Sequence, residues 1–184
     1  TIRKSGMTEL FDKQTVANVL ALKSSSDPRA QHPIAINLSA VSLSSPSFIT
    51  WLREQMAANP QFTESLSIEL SEQDLLAHAE GLESALPQIT AIGLKIGLDR
   101  FGHSAAALKA LRNLQIAYIK IDGSYIHQIH ENKDNQFIVQ ALVGIAHGLG
   151  TKVIAEYVEV VEEIRVLEEM NIDGAQGYLI GKPE

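Results

Sequence analysis

The chain has 184 residues, 45% of them apolar, with 22 acidic against 15 basic side chains and a formal charge of −7. There is no cysteine, so disulfides and thiolate metal sites are excluded, and the negative balance argues against the broad phosphate-neutralising surface of a DNA binder. No uninterrupted apolar run approaches the roughly 20 residues that span a bilayer, and the opening TIRKSGMTELF lacks the apolar core of a signal peptide.

An opening helix, MTELFDKQTVANVLALKS, precedes a first strand, IAINLSA (34–40). SPSFITWLREQMAA reads as a helix with Ser45 as N-cap and Pro46 at the first helical position. Phe48 and Trp51 lie three apart on one face of it and read as core. LSIELSE (66–72), LKIGLDR (94–100), AYIKIDG (117–123), KVIAEYV (152–158) and GAQGYLI (174–180) are the further strands. Between them GLESALPQITAI, SAAALKALRNL, NQFIVQALVGIAHGL and VEEIRVLEEMN carry apolar residues at three- and four-residue spacing, as helices do. Strand–helix alternation of this kind means parallel βαβ units, in an α/β barrel or an open doubly wound sheet. Six strands are visible; an eight-stranded barrel would need two more before residue 1. The expectation is therefore a single, amino-terminally truncated domain over 1–184.

Each strand carries one polar residue near its carboxyl end: Asn37, Glu69, Asp99, Lys120, Glu156 and Gln176. In α/β folds those ends form the binding face, so six strands aim amide, carboxylate and ammonium groups at one mouth. Asn37, Glu69, Asp99 and Glu156 are oxygen donors of the sort hard divalent cations take, and paired metals activate water for phosphoester hydrolysis. Lys120 would steer that water or hold a phosphate oxygen. Lys120 and Asp122 share a parity in IKID and have a plainer reading as an ion pair. Isolated, Glu69 or Glu156 would be a solvated strand-end carboxylate and Asn37 a turn or cap residue. His103 sits in a loop after Arg100, where solvation is the ordinary state; His127 and His130 have helical spacing, and His147 is a structural residue near a helix end.

INLSAVSL, IELSE, GLDRFG, AYIKIDGSYI, VIAEYVE and AQGYLIGKP, in this order, resemble the successive signatures of the EAL domain, the bacterial family that hydrolyses or binds cyclic di-GMP. The resemblance implies a TIM-like (β/α) barrel lacking its amino-terminal strands in this chain, since the EAL signature itself would lie upstream. It makes Asn37, Glu69 and Asp99 metal positions, if a metal is retained. Lys120 and Glu156 match catalytic residues, and Asn37, Glu69, Asp99, Arg100, Lys120, Asp122, Glu156 and Gln176 are the expected ligand-binding set. Mg²⁺ or Mn²⁺ serves catalysis in the family; binding alone is expected to require no cofactor.

Departures from the family pattern point away from catalysis. Active members carry a second aspartate where this chain has Arg100, a change of two charge units; at about 4 Å and an effective dielectric near 20, each unit charge interacts at about 4 kcal/mol. A cation there opposes the second metal. The loop usually written FGTGYSS reads FGHSAAA, and AEGVE reads AEYVE, with Tyr157 in place of glycine. The expectation is a degenerate, non-cleaving cyclic di-GMP receptor, similar to the LapD type or else the CsrD type. It would be cytoplasmic, part of a larger GGDEF–EAL protein that is itself anchored in the inner membrane, with no membrane contact of its own. A homodimer is in keeping with the family. The alternatives are an active metal-dependent phosphodiesterase giving linear pGpG and a ligand-free protein-interaction scaffold.

Overall fold

The computed structural model describes residues 2–182, with side chains from Gly6 onward. Two compact units divide the chain, Thr1–Gly97 and Leu98–Glu184.

In the first unit a long helix, Ile2–Lys23 (α1), leads to the strand Ile34–Asn37 (β1). The buried Lys23 ends that helix by donating from Nζ to the carbonyls of Ala30 (2.9 Å) and His32 (2.6 Å), which fixes the turn into β1. After a short helix, Ala40–Leu43 (α2), comes Pro46–Ala58 (α3), with Ser45 at its N-cap position as expected. The Ser45 hydroxyl caps nothing there; it donates to Glu9 of α1 at 3.1 Å. Phe48 is buried, but Trp51 is only half so, its ring facing Phe48 at 5.5 Å and the Lys13 ammonium at 5.6 Å. That corrects the reading of Trp51 as core: its position at the helix margin lets the indole face serve a cation. The strand Leu66–Ser71 (β2), the helices Glu72–Ala77 (α4) and Ala79–Ala91 (α5) and the start of Lys95–Phe101 (β3) complete this unit. β1 and β2 pair in parallel, Ile34 opposite Leu66 and Asn37 opposite Glu69. Ile36, Ile68 and Leu70 are buried, as alternate strand positions facing one way should be, and so are Leu82, Leu86 and Ile89 of α5.

The second unit takes the end of β3 and then Ala105–Asn113 (α6), Tyr118–Ile121 (β4), Gly123–Ile126 (α7), Lys133–Gly148 (α8), Lys152–Ala155 (β5), Val161–Glu169 (α9) and Gly174–Ala175 (β6). β4 pairs in parallel with β5, Lys120 opposite Ile154, and β5 with β6, Ile154 opposite Gly174. Ile119, Ile121, Val153 and Ala155 are buried, as are Val139, Val143 and Ala146 of α8 and Leu167 of α9. The sixth strand was expected over 174–180 and covers two residues, because Gly177 turns the chain at φ 157° and residues 178–180 form a turn. The helical spacing of His127 and His130 is also overturned: α7 ends at Ile126, and Gln128 takes a left-handed φ of 54°. No described helix is long and apolar enough to cross a membrane.

His147 is structural, as expected. Its Nε2 lies 2.7 Å from Asp173 Oδ2, the oxygen that also accepts the Val153 amide at 2.7 Å, so the carboxylate joins the end of α8 to the start of β5. Burial alone would raise the Asp173 carboxyl, but the His147 ring and the Val153 amide hold it below its ordinary value. Asp173→Asn should therefore cost about 1–3 kcal/mol near neutral pH. A depressed carboxyl stabilises above its unfolded-state value and loses that contribution as pH falls through the lower folded-state value. Urea unfolding midpoints of the wild type and the variant should thus differ at about pH 7 and converge below about pH 4.

Candidate functional site

In the first unit, Asn37 and Glu69 stand side by side, in register at the ends of β1 and β2. Both point to the face opposite Ile36, Ile68 and Leu70. Asn37 is exposed, whereas Glu69 is only 2% exposed, and its carbonyl receives the Leu38 amide at 3.0 Å.

In the second unit the decisive local feature is the backbone at Arg100, which adopts φ 51°. Regular alternation would put Phe101 on the same face as Asp99. The left-handed residue breaks the alternation, so Phe101 is buried while Asp99 is half-buried and the Arg100 side chain is 65% exposed. Arg100 Nε lies 3.8 Å from Asp99 Oδ2, and Asp99 Oδ1 is buried without a hydrogen-bond partner.

Lys120, half-buried, lies on the face of β4 opposite Ile119 and Ile121. Asp122 follows on that same face and caps α7, its Oδ1 accepting the Ser124 amide at 2.9 Å, while its own amide donates to the Phe101 carbonyl at 3.1 Å. Its other oxygen is 3.5 Å from His103 Nε2. Burial would raise this carboxyl, yet the Ser124 hydrogen bonds and the neighbouring imidazole hold it below the usual carboxylate range.

Glu156, buried, follows β5 and donates its amide to the Ile121 carbonyl at 3.3 Å. Gln176 follows β6, its amide donating to Ala155 (2.8 Å) and its carbonyl accepting Val158 (3.0 Å). Because Lys120, Ile154 and Gly174 are level in register, Asp122, Glu156 and Gln176 each stand two residues further along their own chain segments. A cavity of about 300 Å³ opens among Glu156, Tyr157, Glu159, Gln176, Gly177, Tyr178 and Gly181. Tyr157, at φ 57° and 63% exposed, lays its ring against Gly123, where a Cβ would fall 2.5 Å from the Tyr157 ring carbon Cδ2.

Glu163 escaped the sequence reading. It is 1% exposed, and its carboxylate accepts three backbone amides, those of Gln128 (2.8 Å), Glu159 (2.8 Å) and Val160 (3.2 Å). It thereby ties the loop after α7 to the loop that bears Glu156 and Tyr157. The available signal was half a capping box: Glu163 stands three residues after the N-cap, but Val160 there has no side-chain oxygen to reciprocate.

Among the described residues no three His, Asp or Glu side chains gather as a metal-holding group. At the end of β3 the chemistry of the donors fits one divalent ion at most, through Asp99 Oδ1, because the guanidinium beside Oδ2 opposes a second cation.

The family model for the EAL domain matches residues 1–183. The chain belongs to the EAL domain family. The cyclic di-GMP phosphodiesterase PdeA of Borreliella burgdorferi is 30% identical over 184 residues, which are all of this chain and 28% of that protein. The FimX EAL domain of Pseudomonas aeruginosa, bound to c-di-GMP, superposes with a TM-score of 0.88 at 24% identity, covering 99% of this chain and 73% of that one. Klebsiella pneumoniae BlrP1 in its manganese and cyclic di-GMP complex gives 0.80 at 28% identity, covering 93% and 44%. The fold is the α/β EAL fold, as expected for a TIM-like barrel lacking strands. The chain spans little more than a quarter of its curated relative, PdeA.

Gly177 is where this part of the site tolerates least. A Cβ there would lie 2.2 Å from the Val158 carbonyl oxygen and 2.3 Å from its nitrogen, and the residue's φ is 157°. Gly177→Ala should destabilise by about 2–4 kcal/mol, read as a lowered thermal midpoint.

Proposed function

We propose that this chain is a catalytically degenerate EAL domain that binds cyclic di-GMP and acts as the receptor portion of a larger GGDEF–EAL protein. The observation that carries the reading is Arg100: a guanidinium at the strand end, 3.8 Å from Asp99, where a second divalent ion would need a carboxylate. An arginine offers a planar, always charged fork to a phosphodiester. Ligand recognition then rests on Arg100 and Lys120 for the phosphates, with Asn37, Glu69, Asp99, Asp122, Glu156 and Gln176 as polar partners. Lys120 and Glu156 keep only remnants of a catalytic role.

The matched relatives support the ligand class. They include a cyclic di-GMP phosphodiesterase and EAL-domain proteins in complex with the dinucleotide. The protein is taken to work in the cytoplasm as a single EAL-like domain beside a GGDEF-like neighbour, with no metal required for binding. The competing reading, a Mg²⁺- or Mn²⁺-dependent phosphodiesterase releasing linear pGpG, has in its favour the buried Asp99 Oδ1, an oxygen with no protein partner.

Isothermal titration of the full-length protein with cyclic di-GMP in EDTA should give a dissociation constant on the order of micromolar or tighter. Chromatography after incubation with Mn²⁺ should show no linear dinucleotide. Arg100→Asp should add measurable Mn²⁺ binding. Turnover by the unaltered protein, or binding only when metal is present, would refute the receptor reading.

A further inference from the structure

The loop after β3 is built more tightly than a solvated loop needs to be. Gly102 adopts φ 127°, and a Cβ there would lie 3.0 Å from Tyr125 Cε2 and 3.2 Å from Leu142 Cδ1. The Tyr125 hydroxyl donates to the Gly102 carbonyl at 3.0 Å. His103 follows, its ring 5.4 Å from the Tyr125 ring at an interplanar angle of 36°, with Nε2 3.5 Å from Asp122 Oδ2. The imidazole is thus seated on a fixed base yet half open to solvent, with 52% of its side chain exposed.

We infer that His103 is a second ligand-facing cation of this site, beside Arg100, and that a phosphodiester bound there takes up a proton at the imidazole. This rests on the receptor reading above. The groups that face the ring are Asp122 and Tyr125; Asp99 and Arg100 lie four and three residues before it, Lys120 stands two before Asp122, and α8 contributes the apolar Leu142. With a neutral imidazole, three carboxylates of this unit's ligand set (Asp99, Asp122, Glu156) outnumber its two cations (Arg100, Lys120), leaving one net negative charge that opposes an anion. Protonation cancels it. A dianionic cyclic dinucleotide therefore favours the protonated form. Reciprocity then requires that binding raise the imidazole's affinity for a proton.

The sign follows directly. Because binding takes up a proton, affinity grows as the pH falls. The half-exposed ring is screened by water and salt, so cyclic di-GMP should bind only about three- to tenfold more tightly at about pH 6 than at about pH 8.

The test is titration calorimetry of the full-length protein with cyclic di-GMP across that range, in buffers of different ionisation enthalpy. Fractional proton uptake is expected on binding, and both uptake and slope should vanish in His103→Gln and in a second variant, His103→Thr. His78→Gln, at the half-buried C-cap of α4, should keep both. A flat profile with no uptake, or a slope that survives in both His103 variants, overturns this inference and leaves the receptor reading standing. No binding at any pH overturns the receptor reading and this one with it.

Discussion

The second unit depends on one unfavourable backbone conformation. Arg100 is held at φ 51°, which costs a non-glycine residue roughly 1 kcal/mol. The return is that Phe101 is buried instead of standing beside Asp99, and burying such a ring contributes about 2–3 kcal/mol. With Phe101 in the core, its carbonyl meets the Asp122 amide, and the ends of β3 and β4 are locked together. Asp99, Arg100, His103 and Asp122 then lie together at the ends of these two strands, joined by the Arg100–Asp99 and His103–Asp122 contacts.

The loops beyond β5 and β6 are organised by the same economy of backbone contacts. Val158 exchanges hydrogen bonds with Gln176 and Leu179, and Gly177 passes so close to Val158 that no side chain fits. Tyr157, in the left-handed region, leans on Gly123 at the start of α7. The cavity among these residues is lined by Tyr157 and Tyr178 together with Gly177 and Gly181.

Much of this was legible in the residues. The strand starts at Ile34, Leu66 and Lys152 follow from β-branched and aliphatic runs, and the polar row from Asn37 to Gln176 follows from its position at the ends of those runs. The side of the sheet each residue faces followed from alternation, and it held for Lys120 because β4 is regular. Alternation failed at Phe101, since nothing in LDRF announces a left-handed arginine. The last strand shrank because glycine permits a turn that apolar content alone, in GYLI, does not reveal. His127 and His130 were misread because three-residue spacing does not distinguish a helix from a succession of turns. Glu163 was invisible for a different reason: its partners are backbone amides 35 residues away and three and four residues before it, and backbone donors leave no trace in composition.

That single carboxylate has a mechanical consequence. Two oxygen atoms serve the amides of Gln128, Glu159 and Val160, so neither loop can swing outward without breaking the seat of the other. The side chain acts as a rivet through two plates. Displacing the segment at Glu159 and Val160 therefore strains the same carboxylate that seats the Gln128 amide.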